Sequence, residues 1–185
     1  MSRYGGSSNV VNSGNNRSQL TELFIKKILA HLDDTDPQKL THFLNLFNPT
    51  NCKVIVNATP FAQPAIFLEV WQSSVVQTQH ALTAVDYHII PGSQTMICNV
   101  SCKVRFDESG KDKMGQDSVV ASNEGNIGMN KTSAKPNSRP LWGSYFGVSL
   151  QLVIEERVFN NDMNGVISGF NYNMIYKPQD SLITI

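Results

Sequence analysis

The order of periodic segments predicts an α+β domain, with three helical stretches first and a run of antiparallel strands after them. Up to Ser74 the apolar residues recur at i, i+3, i+4 spacing; beyond it they alternate residue by residue. Gly, Pro and Asn punctuate the boundaries between these segments. The chain has 185 residues, enough to bury one sizeable core.

The first helix is expected over residues 18–32, capped by Ser18, with Leu20, Leu23, Phe24, Ile28 and Leu32 on one face. Asp36-Pro37 supplies a cap and a first-turn proline for a second helix, which carries Leu40, Phe43, Leu44 and Phe47 as far as Asn48-Pro49. A short β-branched strand follows at residues 52–56. Gln63-Pro64 opens a third helix through Ile66, Phe67, Val70 and Trp71. Residues 77–90 read as a strand closed by the turn signal Pro91-Gly92.

Residues 95–106 alternate without a fault. Met96, Cys98, Val100, Cys102, Val104 and Phe106 face one way; Thr95, Ile97, Asn99, Ser101, Lys103 and Arg105 face the other. Residues 146–154 set Phe146, Val148, Leu150, Leu152 and Ile154 against Ser149, Gln151 and Val153. Residues 166–176 set Phe170, Tyr172, Met174 and Tyr176 against Asn171, Asn173 and Ile175. One sheet face therefore packs on the helices and a second, largely polar face is left over.

Composition excludes several function classes. Lys+Arg and Asp+Glu number 15 each, so the chain lacks the basic excess of a protein that holds nucleic acid by phosphate neutralisation. With 41% apolar residues it is not disordered by charge, and no apolar run reaches the 18 residues of a membrane span. Only 16% of residues are charged, whereas Asn, Ser, Gln and Thr together make 56 of the 185. The first 17 residues are mostly Gly, Ser and Asn and read as a disordered tail ahead of a domain over 18–185. They hold no apolar block fit for a secretory signal, so an intracellular protein is expected.

Chemistry-bearing residues are sparse. Cys52, Cys98 and Cys102 form no C-x-x-C pair, and Cys98 and Cys102 would lie about 13 Å apart along a strand. They read as buried small hydrophobes. His80 and His88, of equal strand parity, would be ~26 Å apart and cannot share a metal, and His31 and His42 lack a second ligand at matching spacing. Asp86 and His88, two apart, could form a general base if both pointed into a pocket. Trp71 continues an apolar helix face, whereas Trp142 sits where a long insertion re-enters the sheet. That insertion, residues 107–140, carries Lys111, Lys113, Lys131, Lys135 and Arg139 and has an all-positive end from Lys131 to Arg139. Connections of this length are commonly functional or disordered, and a docking loop for RNA or a partner is one reading.

The element order, with Gln79-His80-Ala81-Leu82-Thr83-Ala84-Val85-Asp86 and then Pro91-Gly92-Ser93, resembles the nuclear-transport-factor-two-like superfamily. Within it the chain resembles the family of small subunits of the fungal general mRNA export receptor. The closest stretches are residues 57–63, 75–88, 97–117, 139–147 and 164–182. The resemblance implies a cone-like domain, its N-terminal helices packed in a strongly bent antiparallel sheet. It implies a non-enzymatic protein without cofactor or metal that forms a heterodimer with the large receptor subunit. It also implies contacts with phenylalanine-glycine nucleoporins, carriage of mRNA ribonucleoprotein and pre-ribosomal large subunits, and shuttling between nucleus and cytoplasm. Sheets pack face to face in such heterodimers. The expected interface is then Ile97, Asn99, Ser101, Lys103, Arg105, Ser149, Gln151, Val153, Asn171, Asn173 and Ile175, with the insertion's cations as a cargo loop. The alternative is a cone-fold isomerase or dehydratase using Asp86 or His88 as base.

Overall fold

Residues 12–113 and 139–183 are described by a computed structural model. Their elements, in order, are α1 (Asn12–Asp33), a 3-10 turn (Pro37–Lys39), α2 (Leu40–Leu44), β1 (Lys53–Val56), β2 (Thr59–Phe61) and α3 (Pro64–Ser74). Then come β3 (Thr78–Ile90), β4 (Thr95–Phe106), β5 (Phe146–Glu155), a second 3-10 turn (Glu156–Asn160) and β6 (Ile167–Tyr176). The six strands form one curved open sheet in the order β2-β1-β6-β5-β4-β3, and the helices pack on its concave face. This is the α+β architecture expected, with one difference. The sheet is not wholly antiparallel, because β1 pairs in parallel with β6, Val54 beside Phe170 and Val56 beside Tyr172.

The alternation of β4 and β5 sorts as the pattern requires. Met96, Cys98, Val100, Cys102, Val104 and Phe106 are buried, as are Phe146, Val148, Leu150, Leu152 and Ile154. They meet Phe24, Ile25, Ile28, Leu29 and Leu32 of α1, Phe43 of α2 and Phe67, Leu68 and Trp71 of α3. The interior is thus lined by aromatic and aliphatic side chains, and an apolar cavity of about 500 Å³ opens beside Phe67, Trp71 and Phe106. Burial pushes the thiols of Cys98 and Cys102 up to about 12, so both stay protonated as small hydrophobes.

The helices differ in detail from the expectation. α1 begins at Asn12, so its first turns use residues assigned to the tail. Arg17 lies over the ring of Phe159, and Thr21 Oγ1 donates to the Arg17 carbonyl, which ties those turns to the body. Residues 1–11 lie outside the described residues. Leu23 is 62% exposed; Ile25 and Leu29 take the core positions instead, because the buried stripe lies one residue further round. Asp36 caps the second helical segment by accepting from Gln38 N. The α-helix stops at Leu44, and 3-10 bonds carry the chain to Phe47, which is still buried. Asn48 N then donates to the Ile167 carbonyl and Ile167 N to the Leu46 carbonyl, so pairing with the start of β6 ends the helix.

Two features shape the sheet edges. β1 and β2 form a hairpin through Asn57 (φ 47°) and Ala58 (φ 64°), two left-handed residues as a type I′ turn demands. Asn57 tolerates this and uses its side-chain oxygen to accept from Met174 N. In β3 the register shifts between Leu82 and Ala84, leaving Thr83 as a bulge whose hydroxyl donates to the Ser101 carbonyl at 2.6 Å.

Candidate partner-docking face

The strand faces turned away from the helices form rows across the sheet, two of them largely polar. One row runs Asp86, Asn99, Gln151, Asn171; the next runs Ala84, Ser101, Ser149, Asn173; a third pairs His88, Ile97, Val153 and Gly169. Asn99, Ser101, Lys103, Ser149 and Gln151 are exposed, while Ile97, Arg105, Val153, Asn171 and Asn173 are half-buried. Ile175 is 70% exposed. All eleven residues expected on this face therefore point away from the core. Gln151 Nε2 donates to Asn99 Oδ1 within one row, and Asn173 Nδ2 donates to Asn171 Oδ1 along β6, linking two rows. Gly169 sits against Val153, where a Cβ would come within 2.9 Å of Val153 Cγ2. The row thus stays low at this point.

At one end of this face the structure adds two residues that the alternation did not mark. Arg105 Cζ lies 5.2 Å from the ring centres of both Trp142 and Tyr145, and Lys103 Nζ lies 4.8 Å from that of Tyr145. Arg105 Nε donates to Gln79 Oε1 at 2.7 Å. The signal for Trp142 in the sequence was its place at the insertion's return. Asp107 N–H pairs with Gln77, Glu108 N with the Leu141 carbonyl, and Gly143 N with the Phe106 carbonyl. The buried Asp107 carboxylate accepts from Ser109 N, Ser109 Oγ and Leu141 N. These bonds close the neck of the insertion and bring Trp142 over β4.

The candidate base is corrected by the bulge at Thr83. Equal parity no longer holds across it: His80, opposite Val104, turns inward, whereas His88, opposite Ile97, turns outward. Asp86 and His88 do meet, at 3.4 Å, but their side chains are 74% and 71% exposed on the outer face. Neither enters the cone, so neither serves an interior site as general base.

The interior instead holds a polar cluster that the sequence did not reveal. Asp33, at the end of α1, accepts from Thr78 Oγ1, His80 N and His80 Nδ1, and His80 Nε2 meets Tyr172 OH at 2.8 Å. Burial, with Cys102 and Asp33 nearby, holds the Tyr172 hydroxyl well above its ordinary range. Lys113, expected in the cargo loop, belongs to this cluster. It is 5% exposed, donates to the Leu32 carbonyl at 3.2 Å and lies over Trp71. That removes it from the cargo-loop set, because its ammonium faces inward. Arg139 is exposed and Lys111 half-buried; Lys131 and Lys135 lie outside the described residues.

The family described as nuclear pore RNA shuttling protein Mtr2 matches residues 15–185. The chain belongs to the Mtr2 family. It is 63% identical over 180 residues to the mRNA transport regulator MTR2 of Saccharomyces cerevisiae, covering 97% of this chain and 98% of that one. It is similar to Mtr2 in the crystal structure of the Candida albicans Mtr2–Mex67 M domain complex, with a TM-score of 0.70 and 29% identity over 88% of this chain and 98% of that one. Nuclear transport factor 2 from Cryptosporidium parvum shares the fold, with a TM-score of 0.53 and 14% identity over 85% of this chain and 93% of that one. The Mtr2 family thus has the nuclear-transport-factor-two-like fold expected for this chain.

Proposed function

We propose that this Mtr2-family chain is the small, non-enzymatic subunit of a heterodimeric nuclear export receptor, docking through the outer faces of β4, β5 and β6 onto the similarly folded domain of the large subunit. The observation that carries this reading is the outer face, built from rows of amides and small hydroxyls with scattered apolar residues. Amides and hydroxyls desolvate at lower cost than charges, and a protein interface is depleted in charge at its centre. The Candida albicans relative, crystallised with the Mex67 M domain, supports the choice of partner. The outward Asp86 and His88, neither of which lines the apolar cavity beside Phe67 and Trp71, support a non-enzymatic role.

The receptor so formed shuttles between nucleus and cytoplasm, contacts phenylalanine-glycine nucleoporins and carries mRNA ribonucleoprotein and pre-ribosomal large subunits. In this reading Lys111, Lys131, Lys135 and Arg139 of the insertion meet cargo, which a near-neutral chain can reach only through such local charge.

Co-expression with the large subunit's homologous domain is expected to yield a one-to-one complex. Ser101→Trp, at the middle of the face, should weaken it by 10-fold or more, on the order of 1.4 kcal/mol, without lowering the melting temperature of the free chain. A wild-type chain that fails to co-purify refutes the reading. Unfolding of the free variant would mean that the face is core.

A further inference from the structure

Arg105 is set up unlike any other cation of the face. Two aromatic rings flank its guanidinium and Gln79 holds its Nε, so its rotamer is fixed before anything binds. Among the described residues its two Nη groups carry no hydrogen bond, and neither Arg105 nor Lys103 has an ion-pair partner. The only outward carboxylate on β3 and β4, Asp86, is paired with His88 opposite Ile97 and Asn99. From Asn99 to Arg105 is six residues of strand, about 20 Å, too far for contact. On β3 and β4 this end of the face is therefore positive, and the carboxylates beside residues 143–144 are already held, Glu108 by Ser181 and Leu182 and Asp180 by Ser144.

We infer that Arg105, clamped by Trp142 and Tyr145, is the ionic anchor of the docking face and receives an aspartate or glutamate side chain of the large subunit; this rests on the docking reading above. A guanidinium with its Nη edge open matches a carboxylate in a two-bond fork, and an ammonium does not. Fixing the side chain in advance removes part of the entropy lost on binding. Lys103 adds a second positive charge beside it, and the rings shield the pair from water once the partner covers them. A nucleic-acid backbone fits this end less well. It would require cations continuing along the sheet, yet the adjoining rows carry Ser101, Ser149 and Asn173 and then Asn99, Gln151 and Asn171.

The test uses the full chain and the large subunit's homologous domain. Affinity is measured by calorimetry or surface plasmon resonance for wild type, Arg105→Ala, Arg105→Lys and Trp142→Ala. Arg105→Ala is expected to weaken the complex by at least about 10-fold. Arg105→Lys should recover less than half of that loss in log units, because it restores charge without the fork. An Arg105→Glu chain should be rescued by one Asp→Arg or Glu→Arg substitution on the partner's facing sheet. Unchanged melting temperatures separate these effects from misfolding. If wild type forms the complex but Arg105→Ala binds within 2-fold of it, the anchor is wrong and the docking reading stands. If wild type forms no complex, both fall. If Arg105→Ala instead loses binding to a single-stranded oligouridylate with the heterodimer unaffected, the patch serves RNA and the inference is overturned.

Discussion

Leu32, in the last turn of α1, has a carbonyl shared by Trp71 Nε1 at 2.9 Å, Lys113 Nζ at 3.2 Å and Thr78 Oγ1 at 3.3 Å. An ammonium at a helix C-terminus complements the helix dipole, and the indole below it adds a cation–π contact. Burial works against the charge, and although Asp33 and Asp34 oppose it, the Lys113 pKa falls from its ordinary 10.5 to about 8. The folded state therefore releases this proton before the unfolded chain does. The unfolded state binds more protons between these two values, so stability rises with pH across that window. A shift of this size corresponds to a gain of about 3 kcal/mol. In urea titrations the stability of wild type relative to Lys113→Met should grow by that order from pH 8 to 10.5. A pH-independent difference would place the ammonium in solvent. None of this was legible in the sequence, where Lys113 is one cation among several in a polar stretch. Its burial depends on Trp71, 42 positions away in the chain.

β4 and β5 could be read from their alternation because both are central strands with two unlike faces, where a one-residue slip would bury Asn99 or Gln151 and expose Val100 or Leu150. The same reasoning gave His80 and His88 equal parity, but one extra residue, Thr83, inverts which side chains of β3 face inward and no composition signal marks it. The short β2 was hidden in a turn-like Asn57-Ala58-Thr59-Pro60, and only pairing with β1 makes it a strand. The close contact of Gly169 with Val153 brings a further expectation. Gly169→Ala would set a methyl against Val153, and overpacking of this kind costs about 1–3 kcal/mol. Val153→Ala in the same chain should return most of that loss, measured as the midpoint of chemical unfolding. A double variant no more stable than Gly169→Ala alone would show that the strain lies in the backbone.

At the scale of the molecule, ten of the eleven outer-face residues were legible by parity. The eleventh, Ile175, lies in a register shift of β6, and the same shift turns Tyr176, expected on the core face, outward beside Gly147, where it is 61% exposed. The neighbouring Trp142 and Tyr145 were not legible, since they arrive from beyond the insertion. The neck at Asp107, Glu108, Leu141 and Gly143 closes that insertion by its own hydrogen bonds, and Lys113 roots it under α1. Replacing residues 114–137 with a flexible Gly/Ser linker should therefore leave heterodimer affinity unchanged while reducing RNA and pre-ribosome binding several-fold in pull-downs. Undiminished cargo binding would make the segment a spacer. The parallel pairing of β1 with β6 has a different consequence, one of timing. Lys53 meets Gly169 and Val56 meets Tyr172, so more than a hundred residues of chain must be made before the β1–β2 hairpin finds its neighbour. Contacts this distant slow folding and leave strand edges open in the meantime. During synthesis the chain emerges with that hairpin unpaired and the Asn171–Asn173 side of the face still missing. The face is completed only once β6 has been made and paired with β5 and β1, so docking of a partner on the whole face follows the synthesis of that strand.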